Sequence, residues 1–251
     1  LEMTTISLRK MAVQLCHRYI TEYRKEVLVA CIYGSVARQQ DTPTSDIELV
    51  IVVKAGSRLR EGKWLIDERA VGAYVVDLET LKAVVSTPSL RWPFQMGVLS
   101  SLEVVAGDKS TIDDLLNLGH NIPKANFHRA LEDSLPQVIW ESWGRVHPCN
   151  TRQDFSSLHL SAVEVLLEMR DVLCLLNQSY VTHDYLKGLQ DSYEFQLLPE
   201  KWSDCVELIW WERDPKKVTT AVDLLVGNFK SLLSKEGLTI QSYSSIEQLP
   251  L

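Results

Sequence analysis

A glycine-serine pair and two carboxylates lie close together near the start of the chain and carry its clearest chemistry. Gly34 and Ser35 directly follow an apolar run, and Asp46 and Glu48 stand at the start of the next one. A glycine after a buried strand lets the backbone approach a ligand, and the free N–H groups of a following helical turn suit phosphate oxygens. We therefore predict that Gly34 and Ser35 bind nucleotide phosphate.

The residues after this pair add a cation and a metal-binding pattern. Arg38 can neutralise charge on a departing pyrophosphate. Asp46 and Glu48 are two positions apart on a predicted strand, so their side chains share one face and can hold a hard cation such as Mg²⁺. A metal held in this way can orient an attack on a nucleotide phosphorus, which suits nucleotidyl transfer. The alternative is an ordinary turn followed by an edge strand whose Glu48 faces solvent.

The elements that must position these residues follow from hydrophobic periodicity. The first part predicts a helix over 7–23, strands over 27–33, 47–53, 71–76 and 102–105, and a helix over 79–85. Later residues predict helices over 111–118, 126–145, 157–177 and 216–235, the last capped by Asp214 and Pro215. The predicted fold class is α+β/α, with a mixed-sheet domain over 1–118 and a helical domain over 119–251.

Composition narrows the function classes. A net charge of −7 argues against non-specific nucleic-acid binding, which depends on Lys and Arg. The apolar runs fall short of the ~20 residues that a membrane helix needs, so we predict no membrane partner and a cytoplasmic location. The five scattered cysteines predict reduced core thiols, and the six histidines show no zinc-ligand spacing.

The segment from Tyr33 to Glu48 resembles the signature of the kanamycin nucleotidyltransferase family, the aminoglycoside 4′-adenylyltransferases of the polymerase-β-like superfamily. The similarity extends to a strand ending at Asp77, to Trp92-Pro93 and to a helix opening near Phe127. It implies a polymerase-β-like nucleotidyltransferase domain followed by a helical bundle used for substrate binding and dimerisation. It also implies that a homodimer transfers AMP from ATP, with one or two Mg²⁺ ions, to a hydroxyl of a small aminoglycoside-like molecule.

The same resemblance assigns two residues of the helical half. Glu141 matches a general base that takes the proton of the acceptor hydroxyl, and Arg145 matches a basic residue that contacts phosphate. Their spacing of four places both on one helical face, and Trp140 and Trp143 suggest apolar surroundings. The alternative from the residues alone is an intrahelical ion pair on a solvated face.

This chain departs from the family at a third acidic metal ligand. The matching strand position falls near Gly72-Ala73, and the nearest carboxylates are Glu68 and Asp77. Asp77 is therefore a candidate third metal ligand. Its alternative is to cap the N-terminus of the following helix near Thr80.

A second departure concerns the loop after the Asp-x-Glu strand. The family has an acidic stretch there, whereas this loop is basic around Glu61; its cations are Lys54, Arg58, Arg60 and Lys63. A basic loop is unfavourable for a polycationic drug. Two other functions stay open: a nucleotide-binding regulatory protein without turnover, for which the missing third acid would be the reason, and transfer to a macromolecular acceptor.

Overall fold

A computed structural model describes residues 7–135, 138–239 and 243–249. The chain divides into two compact units. Unit 1 contains Leu1–Thr87 and Phe94–Ile122, and unit 2 contains Pro88–Pro93 and Pro123–Leu251. The assignment of 1–118 and 119–251 to two functional domains stays a prediction.

Unit 1 is built on a five-stranded mixed sheet in the order β3-β4-β2-β1-β5. β2 and β4 are parallel, and the other neighbouring strands are antiparallel. The mixed sheet predicted from the sequence is thereby confirmed. The elements up to residue 122 are α1 (Leu8–Glu22), β1 (Val27–Tyr33), α2 (Gly34–Ala37), β2 (Ile47–Val53), β3 (Gly62–Ile66), β4 (Arg69–Asp77), α3 (Leu78–Ser86), α4 (Trp92–Ser100), β5 (Glu103–Gly107) and α5 (Ser110–His120).

One face of this sheet is closed by α1, whose Ala12 and Cys16 are fully buried against it. The odd-numbered residues of β2, from Ile47 to Val53, belong to this core. Strand residues alternate between faces, so Glu48 lies on the opposite face. Each buried branched side chain contributes roughly 1.5–3 kcal/mol, which fixes the register and hence the face on which Glu48 stands.

Two elements of this unit were not expected from the sequence. β3 occupies residues interpreted as the basic loop, and its Trp64 and Leu65 are exposed. It is an edge strand without a buried face, so alternation gave no signal. α4 contains Pro93 near its start and is apolar on nearly all sides, so it has no amphipathic period.

Unit 2 is helical throughout its assigned elements. They are α6 (Lys124–Ser134), α7 (Trp140–Thr151), α8 (Phe155–Leu176), α9 (Tyr185–Asp191), α10 (Trp202–Trp211) and α11 (Pro215–Lys235). α8 is the central helix, because it packs against α6, α7, α9, α10 and α11. The prediction of one helix over 126–145 is wrong: two helices occupy this range, and Ile139 adopts a left-handed conformation before α7. Residues 136 and 137 of that prediction lie outside the described residues.

Several side chains predicted from the sequence have clear structural places in unit 2. Asp214 caps α11 by accepting a hydrogen bond from the N–H of Lys216. Trp92 is buried and packs edge-on against Phe127, with ring centroids 4.9 Å apart.

The five cysteines of the chain are all buried. In the described part of the protein, no helix combines the length and apolar character required to cross a membrane.

Candidate active site

The glycine-serine turn meets the second strand through Gly34 and Glu48. Gly34 follows β1 at a φ of +73°, a left-handed value that favours glycine. A Cβ built on Gly34 would stand 2.3 Å from Oε2 of Glu48. The absence of a side chain at position 34 therefore lets the Glu48 carboxylate lie directly against the turn. Two residues that the sequence singled out separately are thus brought together.

Asp46 is held just outside β2 by the preceding turn. The hydroxyl of Ser45 accepts a hydrogen bond from the N–H of Thr42 at 2.9 Å, which closes the segment before the strand. Asp46 is exposed, Ile47 is fully buried and Glu48 is half-buried. The buried Ile47 anchors the strand, so the carboxylates on either side of it face away from the core.

Arg38 supplies an unusual buried cation at the end of α2. Its Nε and Nη1 atoms are buried and have no hydrogen-bond partner among the described residues. Buried polar groups are nearly always paired, and an unpaired guanidinium donor is costly. Arginine donors also match phosphate oxygens well. These two facts make Arg38 a fit partner for an anion at the Gly34-Ser35 turn.

The donor set near Glu48 fits magnesium with two protein carboxylates. Mg²⁺ is commonly bound by one or two carboxylates together with substrate phosphates. Asp46 and Glu48 offer that number after the Gly34-Ser35 turn. Within residues 7–135, 138–239 and 243–249, no group of three or more His, Cys, Asp or Glu side chains is arranged to hold a metal.

Asp77 is not brought together with this pair. β2 and β4 run parallel with Glu48 opposite Gly72 and Val53 opposite Asp77. Five strand positions therefore separate Asp77 from the level of Glu48, roughly 16 Å at ~3.3 Å per residue. Its carboxylate instead caps α3, accepting hydrogen bonds from the backbone N–H of Thr80 at 2.9 Å and from its hydroxyl at 2.6 Å. These hydrogen bonds lower the pKa of Asp77.

Gly72 occupies the strand position beside Glu48 where a third acid was sought. A Cβ added to Gly72 would meet no atom within 4 Å. Tyr33, Glu48 and Gly72 stand side by side across β1, β2 and β4. The side-chain space next to Glu48 is therefore open.

A cavity of about 410 Å³ lies on this face of unit 1, with Tyr33, Glu48 and Gly72 among its lining residues. Lys63 and Gln95 also line it, and Oε1 of Gln95 is buried without a hydrogen-bond partner in the described part of the chain. Sequence reasoning did not identify Gln95 as a site residue. The one sequence feature that could have indicated Gln95 is that its polar amide stands within an apolar stretch.

In unit 2, Glu141 and Arg145 form an ion pair along α7, and Arg145 also lies 3.5 Å from Glu164 of α8. The Glu141 side chain is 79% exposed. Trp140 and Trp143 pack instead around Lys230, whose Nζ lies 4.9 and 4.6 Å from their ring centroids. The apolar surroundings expected for Glu141 are therefore not seen.

Comparisons with known proteins identify relatives by sequence and by fold. No family model matches the chain. Two curated relatives, both named aminoglycoside nucleotidyltransferase (4'), come from Staphylococcus aureus and a Bacillus species. Each is 23% identical over 143 residues, which is 57% of this chain and 56% of the relative. The chain is similar to aminoglycoside nucleotidyltransferases. The family resemblance suggested by Tyr33 to Glu48 is thus confirmed as a resemblance.

The similarity has a limited extent in sequence and a broader one in fold. The match spans little more than half the length of these curated relatives. A solved structure of a nucleotidyltransferase-like protein from Exiguobacterium sibiricum superposes with a TM-score of 0.51 at 11% identity. That superposition covers 89% of this chain and 75% of the other. At this identity the structural likeness establishes a shared fold.

Proposed function

We propose that this protein is a metal-dependent nucleotidyltransferase that transfers AMP from ATP to a hydroxyl of a small molecule. The observation that carries the proposal is the contact between the Gly34 backbone and the Glu48 carboxylate, with the unpaired donors of Arg38 at the end of the same turn. A phosphate-binding turn and a metal-binding carboxylate must adjoin if one nucleotide is to use both. The similarity to aminoglycoside nucleotidyltransferases supports the same chemistry.

The residues have distinct roles in this proposal. Gly34 and Ser35 bind phosphate through their backbone and hydroxyl groups, and Arg38 donates to the pyrophosphate leaving group. Asp46 and Glu48 would hold one Mg²⁺, or two, which when bound supplies positive charge at the phosphate oxygens.

The helical second half carries the remaining roles in the proposal. Glu141 accepts the proton of the acceptor hydroxyl, and Arg145 contacts phosphate. As in the family that the sequence resembles, this half contributes to acceptor binding and to assembly of a homodimer. These roles rest on the sequence resemblance, whereas the exposed ion pair of Glu141 and Arg145 on α7 is the arrangement that the alternative predicts.

A second function is favoured by Gly72. The strand position beside Glu48 has no side chain, and among the described residues no group of three or more His, Cys, Asp or Glu side chains is arranged to hold a metal. A protein of this fold that binds nucleotide without turnover is compatible with such a site. This alternative predicts ATP binding without release of pyrophosphate.

One assay separates these functions. Purified protein is incubated with ATP, Mg²⁺ and a panel of hydroxyl compounds, and pyrophosphate release is measured together with the mass of each acceptor. Metal-dependent release with a mass gain of one adenylyl group on a small acceptor supports the transferase. ATP binding without release supports the regulatory alternative, and label on a macromolecule supports a macromolecular acceptor. Glu48→Gln is the control that should remove release in the first and third cases.

A further inference from the structure

The cavity beside Glu48 has features that indicate what it binds. Its volume of about 410 Å³ is within the usual range for small-molecule sites, roughly 300–1,000 Å³. It shares Glu48 with the proposed metal site, whereas Gly34, Ser35 and Arg38 do not line it. A molecule in the cavity would therefore lie next to the metal-side carboxylate and outside the phosphate turn. That is the position of an acceptor.

Gly72 shapes the part of the cavity closest to Glu48. Its neighbour across the parallel pair is Glu48, and the space where its side chain would be is open. Any larger residue at this position would project into the cavity, because strand side chains at paired positions share one face. The opening lets an acceptor reach the level of the Glu48 carboxylate.

The walls offer aromatic and apolar surface. Tyr74 of β4 and Phe94 of α4 both line the cavity, although they are 51% and 61% exposed. Val76, Leu81 and Val98 add aliphatic surface. A flat, apolar molecule would cover these rings and remove them from water, which is favourable in proportion to the area buried.

The charges along the cavity do not suit a polycation. Its carboxylates are those of Glu48 and Glu61, and Lys63 follows Glu61 at the start of β3. With Glu48 facing a metal, Glu61 and Lys63 leave no net negative charge. A molecule with several ammonium groups would find one carboxylate and one like charge, which disfavours its binding.

Gln95 adds a specific polar requirement. Gln95 lines the cavity, and its buried Oε1 has no hydrogen-bond partner among the residues that the structure describes. A buried carbonyl oxygen without a donor is costly, and a ligand N–H that reaches it removes the cost. The amide therefore selects a molecule with a hydrogen-bond donor on its apolar body.

We propose that this cavity binds the acceptor, and that the acceptor is a flat, mostly apolar molecule with a hydroxyl at one end and an N–H donor for Gln95 at the other. The inference rests on the proposed function for the identity of the reaction. In that reaction the acceptor oxygen forms a bond to the α-phosphorus of ATP while the bond to the bridging oxygen breaks. Pyrophosphate leaves with that electron pair, and the hydroxyl proton passes to a general base.

The test measures binding without nucleotide, so that it does not depend on turnover. The probes are para-hydroxybenzamide, which has an amide N–H donor, methyl para-hydroxybenzoate, which lacks it, and kanamycin. Each is titrated into the full chain, and Kd is read from chemical-shift changes. The variants are Gly72→Val, which fills the opening, and Gln95→Met, which keeps the side-chain length and removes the carbonyl oxygen. Ala70→Val is the control, since it places the same valine side chain in β4 at an exposed position outside the cavity.

We expect both aromatic probes to bind wild type more tightly than kanamycin does. Gly72→Val should weaken both aromatic probes by roughly tenfold through steric exclusion, and Ala70→Val should leave them unchanged. Gln95→Met should weaken para-hydroxybenzamide by roughly fivefold and spare the ester, as expected for loss of one neutral hydrogen bond.

Absent binding of the aromatic probes, tighter binding of kanamycin, or equal Kd values in wild type and Gly72→Val would each overturn the inference. A protein that binds the probes as expected but releases no pyrophosphate would support the assignment of the cavity and contradict the proposed transferase activity. The two failures are therefore distinguishable.

Discussion

The backbone at position 34 imposes two requirements that only glycine meets. Its φ of +73° is strained for a residue with a Cβ, and the Glu48 carboxylate occupies the space where that Cβ would stand. The sequence indicated the glycine as a phosphate-turn residue. It could not indicate the contact, because the antiparallel register that brings Glu48 opposite Tyr33 is a property of the folded sheet.

The contact predicts that Gly34→Ala is more damaging than an alanine at another left-handed glycine. Gly56 has a φ of +79° and no atom within 4 Å of an added Cβ, so Gly56→Ala measures backbone strain alone, about 1–2 kcal/mol. Gly34→Ala should lose a further ~1–3 kcal/mol from the clash with Glu48. Urea unfolding of both variants measures the difference, and equal losses would show that the Glu48 side chain moves aside freely.

We expect Arg38 to contribute to ATP binding but not to the stability of the fold. Arg38→Met removes buried donors that have no partner among the described residues, so the free energy of unfolding should stay equal or rise. ATP affinity should fall by about 10- to 100-fold, the loss expected for a charge-assisted hydrogen bond. Calorimetric titration and urea unfolding measure the two quantities. Arg18→Met, which removes an exposed pair with Glu22, is the control and should leave ATP affinity unchanged. A loss of stability with intact ATP binding would assign Arg38 to the fold instead.

The carboxylate pair predicts a loss of turnover with little change in fold. Asp46→Asn and Glu48→Gln each remove one charge from the proposed metal site while keeping almost the same shape. Pyrophosphate release should fall below detection, and thermal unfolding should change by only a few degrees. Near wild-type rates in either variant would remove that residue from the metal site.

At the scale of elements, the sequence predicted what periodicity and burial control. β1 and β2 match their predicted ranges because both are apolar runs in the interior of the sheet. The edge strand β3 was missed because it has no buried face. The division of residues 126–145 into α6 and α7 was missed although the sequence marks it: Pro136 follows the end of α6 at Ser134, and a proline inside a helical pattern ends the helix before it. Local pattern thus locates buried elements and helix breaks, whereas an edge strand without a buried face gives it no signal.

Asp77 allows an element-scale prediction, because its carboxylate caps α3. Asp77→Ala should lower the midpoint of thermal unfolding by a few degrees and leave the metal-dependent rate per folded molecule unchanged. The hydrogen bonds from Thr80 lower the pKa of Asp77, so its contribution to stability is present at neutral pH. It is lost as the pH falls below the ordinary aspartate pKa of about 3.9.

The difference in unfolding midpoint between wild type and Asp77→Ala should therefore shrink on acidification. Thermal unfolding over a pH series measures it. A large fall in Mg²⁺ affinity in Asp77→Ala, with the midpoint unchanged, would restore Asp77 as a metal ligand.

At the scale of the whole molecule, the choice of acceptor depends on residues that come from separate elements. The charge argument from the sequence used a basic loop, but parts of that loop bond to Glu26 and to the loop's own backbone. The N–H of Arg58 donates to Glu26 at 3.1 Å, and Arg60 donates to the carbonyl of Leu59 at 3.1 Å. Of the loop cations, Lys63 lines the cavity. A stronger argument against a polycationic acceptor comes from Gly72, because the strand position beside Glu48 carries no carboxylate. That position can be identified only from the pairing of β4 with β2.

Acids of unit 2 that could compensate are already engaged within that unit. Glu164 lies 3.5 Å from Arg145, and Glu168 accepts a hydrogen bond from Ser142 at 2.7 Å. Glu132 lies 3.6 Å from His128. Carboxylates with such partners attract an additional ammonium group less strongly. These three carboxylates are therefore less available to a polycation than carboxylates without partners.

We expect kanamycin to be a poor acceptor for this protein, with a kcat/KM in the presence of ATP and Mg²⁺ well below about 10⁴ M⁻¹s⁻¹, the lower end for an enzyme on its proper substrate. The physical reason is that the cavity beside Glu48 contributes one further carboxylate, Glu61, next to Lys63. Lys63→Glu provides the opposing test, because it reverses the charge beside Glu61 without filling the opening at Gly72 and should raise kcat/KM for kanamycin relative to wild type. A wild-type value of about 10⁴ M⁻¹s⁻¹ or more, unchanged by Lys63→Glu, would show that the cavity does not select the acceptor, since a selecting cavity must respond to a reversed charge on its wall.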